Sequence, residues 1–97
     1  MKHLKRVEIV TGALEAPKVV QILDEYNITG YTMIKNVEGR GDKGIQDGQG
    51  LHNAFQNIYL MVACSEDEVK SFTEPLRALL KKSGGVCLVS DAEWLIH

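Results

Sequence analysis

The sequence predicts an α+β domain in which two helices cover one face of a four-stranded antiparallel sheet. Its 97 residues suffice for one hydrophobic core, so residues 1–97 form a single domain. The period of the apolar residues changes along the chain between 2 and 3.6. These changes of period predict the order strand, helix, strand, strand, helix, strand, which is the split βαβ pattern.

The first strand and the first helix come from residues 4–26. Residues 4–10 alternate, with Val7 and Ile9 pointing to one side, and Gly12 ends the strand. Pro17 suits the first turn of a helix, where its missing N–H is not needed. The helix then presents an apolar stripe with the spacing i, i+3, i+4, i+7, which predicts a core-facing side. This stripe consists of Val19, Ile22, Leu23 and Tyr26.

The second and third strands are predicted over residues 31–37 and 57–64. The third strand is apolar on both faces, because small and large apolar side chains occupy every position from 58 to 64. One face carries Ile58, Leu60 and Val62, and the other carries Tyr59, Met61 and Ala63.

The second helix begins after Ser65, which forms a capping box with Glu68 three residues later. Pro75 lies inside the helical pattern, so a kink or a restart is expected near Thr73. Gly84 is a suitable left-handed stop after two lysines. The buried stripe of this helix consists of Val69, Phe72, Leu76, Leu79 and Leu80.

The last strand is predicted over residues 86–89, followed by a short tail over residues 91–97. The complete pattern is that of a ferredoxin-like βαββαβ fold, which leaves one face of its sheet without helices. Because the third and fourth strands are apolar on both faces, that face needs a cover. Another copy of the chain is the simplest one, so self-association is expected.

Composition excludes several classes of protein. Eleven basic and thirteen acidic residues give a net charge of −2, which argues against a nucleic-acid-binding protein. No apolar run approaches the roughly 20 residues of a membrane span, and the charged start lacks the apolar core of a signal peptide. Cys64 and Cys87 lie in apolar runs and are expected to be free, buried thiols without a disulfide or metal. A cytoplasmic domain is expected.

The segment of residues 30–50 holds six of the nine glycines. Its stretch Gly39 to Gly44 matches G-x-G-x-x-G, but a dinucleotide fingerprint needs a helix to begin there, and the following IQDGQG is a poor helix. The physical content is simpler: glycine amides can approach an anion closely, and Arg40 and Lys43 add positive charge. Phosphate binding and a solvated loop are both consistent with this composition.

Catalytic residues do not present themselves as a set. His3, His52 and His97 are far apart in the sequence, and Ser65 and Ser71 have helix-cap and helix-surface explanations. The sequence therefore predicts a protein that is not an enzyme.

Two segments resemble a known family. Gly30-Tyr31-Thr32-Met33, followed by Gly39-Arg40-Gly41, is similar to the strand that enters the T-loop of PII signal-transduction proteins. The stretch GGVCLVSDAE at residues 84–93 is similar to the last strand of one branch of them. This branch comprises the carboxysome-associated PII proteins and the cyanobacterial bicarbonate-transporter-associated PII-like proteins. The matching order of elements extends the resemblance over essentially the whole chain.

The resemblance implies a homotrimer that binds adenine nucleotides in three clefts between subunits. Loss of the C-terminal arginines that hold ATP in other members favours ADP or AMP, with ATP and cyclic AMP as further candidates. Thr32 would hydrogen bond the base. One subunit would contribute Gly30, Tyr31 and Thr32 to the adenine and Gly39, Arg40 and Gly41 to the phosphates. The adjoining subunit would contribute Ser83, Gly84, Gly85 and Val86.

The resemblance further implies signalling through a T-loop at about residues 38–56, although Gly30 and Gly39 are separated by one residue more than in other members. Bicarbonate would be a second ligand, held by Arg40, Gly41 and Lys43. A bicarbonate transporter or a carboxysome-related protein would be the partner in inorganic-carbon metabolism. Three alternatives remain: a metal-tolerance-type trimer of the same fold without nucleotide, a small acylphosphatase-like enzyme, and a plain oligomerisation module.

Overall fold

The computed structural model describes residues 1–38 and 56–97. The sheet has the strand order β2-β3-β1-β4, and its neighbouring strands are antiparallel. This topology confirms the predicted ferredoxin-like fold. The elements are β1 (Lys2–Gly12), α1 (Ala16–Glu25), β2 (Thr32–Val37), β3 (Asn57–Cys64), α2 (Glu66–Ser83) and β4 (Val86–Trp94).

The core lies between one face of the sheet and both helices. In the antiparallel register Val7 pairs with Val62 and Ile9 with Leu60, and all four side chains are fully buried. The alternation predicted for β3 is confirmed, because every second residue from Ile58 to Cys64 is buried. The helices contribute the buried residues Ala16, Val19, Leu23, Phe72, Leu76 and Leu80.

The first helix starts with Pro17 in its first turn, as predicted, but its stripe is shorter than expected. Tyr26 was expected in the core and is instead the C-cap residue, with 38% of its surface exposed. Its φ of −102° and ψ of 16° lie outside helical values, so the 3.6-residue period no longer fixes where its side chain points. Ile28 takes the core position, and its amide donates to the Leu23 carbonyl at 2.8 Å.

The second helix confirms its predicted ends, and of the kink or restart expected near Thr73, the restart is absent. The Ser65 hydroxyl accepts from the Glu68 amide at 3.1 Å, and Gly84 closes the helix at φ 88°. The helix nevertheless runs from Glu66 to Ser83 without a restart at Thr73. Pro75 removes one backbone donor. Phe72 and Leu76 are buried on either side of it and anchor both halves in the same core.

The last strand is longer than the sequence predicts. Residues 91–94, expected in a tail, continue β4 to Trp94 and pair with the first residues of β1. An ion pair joins Lys5 and Asp91, and His3 lies 3.4 Å from Glu93. The hydrogen bond between Lys5 and Asp91 raises the pKa of the lysine and lowers the pKa of the carboxyl. The cross-strand ion pair of Lys5 with Asp91 thus supports a strand end with little apolar alternation.

The two cysteines differ in their exposure to solvent. Cys64 is free and buried as predicted, and this burial raises the pKa of its thiol to about 11. Cys87 is free but exposed, contrary to the prediction. It lies on β4, which is an edge strand, so only one flank of its backbone has a neighbouring strand to cover it.

Candidate functional site

The first group of predicted site residues lies at the outer edge of β2. Gly30 and Tyr31 precede the strand and Thr32 is its first residue, and all three are exposed. Thr32 pairs with Met61 of β3, which places its side chain on the face of the sheet that is turned away from the helices. The hydroxyl and the backbone of this segment are therefore accessible to a ligand or to another chain.

The second group forms the turn between α2 and β4. Gly84 adopts the left-handed conformation that ends the helix, and Ser83, Gly84 and Val86 are exposed. Gly85 is packed closely: a Cβ atom there would lie 2.7 Å from Leu80 Cδ2 and 2.9 Å from the Val10 carbonyl oxygen. This contact holds the turn against the end of β1 and fixes where its backbone amides point.

The two groups lie on opposite edges of one sheet. The order β2-β3-β1-β4 puts three strand spacings between them, or about 14 Å at roughly 4.8 Å per spacing. They are also offset along the strands, because Val86 is level with Ile34 rather than with Thr32. Within one copy these two groups do not form a common cleft: three of the ten predicted nucleotide-binding residues lie at the β2 edge and four at the β4 edge.

The remaining predicted residues, Gly39, Arg40, Gly41 and Lys43, lie outside the described residues. Their segment leaves the sheet after Val37 and returns at Gln56. The Ala13 amide donates to the Gln56 carbonyl at 2.7 Å, which ties the return point to the end of β1. Val37 and Gln56, which border this segment, lie at the same end of the sheet as Gly85.

Positive charge collects at this end of the sheet. Within residues 1–38 and 56–97, Lys35, Lys81 and Lys82 make no ion pair. Lys35 lies on the helix side of β2 and lines a cavity of about 570 Å³ at the root of the loop. Lys35 was not among the site residues predicted from the sequence, because a single lysine in a short strand forms no motif. Lys81 borders a groove of about 310 Å³ beside Gly85.

Other residues weighed from the sequence have structural roles. The Ser71 hydroxyl donates to the Glu68 carbonyl at 2.6 Å, and His3 and His97 are exposed, while His52 lies outside the described residues. Across both described ranges, no three His, Cys, Asp or Glu side chains are grouped so as to hold a metal ion. Among the same residues, no helix is long and apolar enough to cross a membrane.

The structure is similar to solved structures that include CPII, a nitrogen regulatory PII-like protein. The chain is 25% identical to CPII from Thiomonas intermedia K12 bound to ADP and bicarbonate, with a TM-score of 0.80 over 95% of this chain and 88% of that chain. A structure of CPII with ADP, AMP and bicarbonate gives 23% identity and a TM-score of 0.79 over 98% and 96% of the two chains. The GlnK–ATP complex of B. subtilis gives 22% and 0.67 over 95% and 84%.

The sequence comparison gives the family directly. No curated protein sequence matches the chain. The model of the family described as nitrogen regulatory protein P-II matches residues 4–95, which is nearly the whole chain. This match agrees with the strand order and with the resemblance carried by the segments around Thr32 and Gly85. The chain therefore belongs to the P-II family.

Proposed function

We propose that this protein is a homotrimeric P-II-type sensor that binds adenine nucleotides between neighbouring copies. The observation that carries the proposal is the division of the candidate residues between the two edges of one sheet. A ring of copies brings the β2 edge of one next to the β4 edge of another. Each contact then joins Gly30, Tyr31 and Thr32 with Ser83, Gly84, Gly85 and Val86 of the neighbour.

Adenine and phosphate would be held by different parts of this cleft. Thr32 carries an exposed hydroxyl that can hydrogen bond the edge of the base. Gly39, Arg40 and Gly41 follow Glu38, the first residue after β2, and would contact the phosphates. Lys81 and Lys82, which make no ion pair with the described residues, would add positive charge from the neighbouring copy. ADP and AMP are the proposed ligands, and CPII, at 25% identity, was solved with ADP and bicarbonate.

Bicarbonate is the proposed second ligand, through Arg40, Gly41 and Lys43. The output would be the segment of residues 38–56, with a bicarbonate transporter or a carboxysome-related protein in the cytoplasm as its partner. A nucleotide would act by shifting the population of loop conformations toward the one that the partner recognises. The role is regulatory rather than catalytic, in keeping with the family's description as nitrogen regulatory.

A thermal-shift screen tests this proposal. The ligands are ADP, AMP, ATP, cyclic AMP and bicarbonate. GDP is the control, because it has the same phosphates as ADP and a different base. A ligand at 100 times its Kd stabilises the protein by about 2.7 kcal/mol, which raises the Tm by several degrees in a chain of this size. We expect this shift for ADP or AMP and not for GDP. No shift with any adenine nucleotide would contradict the proposal and favour the metal-tolerance-type trimer or the oligomerisation module.

A further inference from the structure

Asn36 interrupts the regular pairing of β2 with β3. Lys35 pairs with Ile58. The next paired residue of β2 is Val37, and its partner is Asn57, the direct neighbour of Ile58. Asn36 is therefore an extra residue in the strand, which is a β-bulge. Its φ of 61° lies in the left-handed region, where one common type of bulge carries a glycine, so an asparagine takes the glycine position here.

The bulge decides on which face of the sheet β2 ends. Thr32 and Val37 are five positions apart, so regular alternation would place their side chains on opposite faces. Their partners on β3, Met61 and Asn57, are four positions apart and therefore share one face. This face is turned away from the helices, because Ile58, next to Asn57, is buried in the core on the helix side. The extra residue thus places Thr32 and Val37 on the same face.

This placement matters for the nucleotide site of the proposed function. Thr32 is the proposed contact of the base, and Gly39 and Arg40, which follow two and three positions after Val37, are proposed contacts of the phosphates. Base and phosphates belong to one small molecule, so both parts of the site have to be reached from one side of the sheet. Without the extra residue Val37 would turn to the helix side, and the chain after it would shift by one position, or about 3.3 Å along the strand.

A left-handed residue other than glycine costs free energy, and such residues persist where the surrounding structure or function requires them. Asn27 is the other one among the described residues, with a φ of 64°. It follows the C-cap residue of α1, so the end of a helix accounts for it. Asn36 ends no helix.

We propose that Asn36 is a positioning residue of the nucleotide site. Its left-handed bulge turns the end of β2 to the face that carries Thr32, so that one nucleotide can reach the base contact and the phosphate contacts together. This inference rests on the proposed function and assigns the residue that relates the two parts of its site within one copy.

Valine and glycine at this position test the proposal. N36V places a β-branched side chain where φ is positive, and we expect the affinity for ADP to fall about tenfold because the bulged conformation becomes less populated. N36G adopts the same φ without strain and should bind ADP like the unchanged protein. N27V is the matched control, because it puts the same side chain at the other left-handed asparagine, and it should leave the ADP affinity unchanged. Calorimetry measures all three variants.

Adenosine distinguishes positioning from a general loss of stability. It has no phosphates, so N36V should bind adenosine as tightly as the unchanged protein does. Circular dichroism checks the fold, and N36A, which imposes a milder strain, replaces N36V if the valine variant does not fold. An unchanged ADP affinity in N36V, an equal loss in N36G, or an equal loss for adenosine and ADP would overturn the inference. An unchanged protein that binds no adenine nucleotide would instead contradict the proposed function, and the inference would fall with it.

Discussion

Gly85 and Val10 lie so close that the glycine has no room for a side chain. A Cβ atom on Gly85 would be 2.9 Å from the Val10 carbonyl oxygen and 2.7 Å from the end of the Leu80 side chain. The backbone carbonyl belongs to β1, one of the two central strands of the sheet, and cannot shift easily. The turn that carries part of the candidate site is thus set by contact with the core.

Replacement of Gly85 by alanine should destabilise the fold. Overpacking of this kind costs about 1–3 kcal/mol, which lowers the Tm by roughly 4–8 °C per kcal/mol in a domain of this size. Gly12→Ala is the control, because a Cβ atom there meets nothing within 4 Å. Urea unfolding of both variants measures the difference. Equal free energies of unfolding of the two variants would show that the turn accommodates the added Cβ atom without loss of stability.

The hydrogen bond from Tyr59 to Glu8 should make the free energy of unfolding depend on pH in the alkaline range. The folded-state pKa of Tyr59 is raised above 10.0 by the hydrogen bond to Glu8. The bond therefore contributes stability below about pH 10, and this contribution is lost as the pH rises through the folded-state pKa. Tyrosinate absorbance should show one group that ionises late, and Tyr59→Phe should remove it. Tyr26→Phe, at an exposed helix end, should leave that late group in place.

Thr32→Val tests the contact with the base. A buried base left with an unpaired polar edge costs about 1–3 kcal/mol, so affinity for ADP should fall roughly 5- to 150-fold. Thr29→Val replaces a neighbouring exposed threonine outside the candidate set and should have no effect. Calorimetry measures both. An unchanged ADP affinity in Thr32→Val would remove this residue from the site.

Nucleotide should protect the segment of residues 38–56 from trypsin, which can cut after Arg40 and Lys43. Ordering a residue costs about 1–2 kcal/mol of backbone entropy, so contacts with a phosphate are needed to offset it. Cleavage after Lys43 should slow with ADP or AMP and not with GDP. Arg40→Ala should lose most of this protection at saturating ADP. Equal cleavage rates with and without each ligand would show that nucleotide binding does not protect this segment.

Local sequence patterns were sufficient to predict the order of the helices and strands. They were insufficient to predict which strands lie at the edges of the sheet and where the edge strand β4 ends. The bounds of β3 and the caps at Ser65 and Gly84 follow from neighbouring residues, so the sequence predicts them. The extension of β4 depends on partners at Lys2 to Lys5, nearly 90 residues away, and no local pattern contains them. The exposure of Cys87 likewise depends on which strand lies at the edge.

The candidate site, too, could be predicted from the sequence only in part. The resemblance supplies the residue types around Thr32 and Gly85, but their placement on opposite edges follows from the strand order, which only the fold reveals. Lys35 was missed because a lysine on the helix side of a short strand has no spacing motif. The alternatives without nucleotide are disfavoured by the P-II family match over residues 4–95.

The central claim is that nucleotide sites form between copies, and native mass spectrometry with ADP tests it most directly. The claim predicts trimers that carry up to three ADP molecules and monomers that carry none, because it divides the residues of each proposed site between two copies. Dilution that dissociates the trimer should release the nucleotide at the same time. A monomer that binds one ADP, or a trimer that binds none at saturating concentration, would contradict the claim.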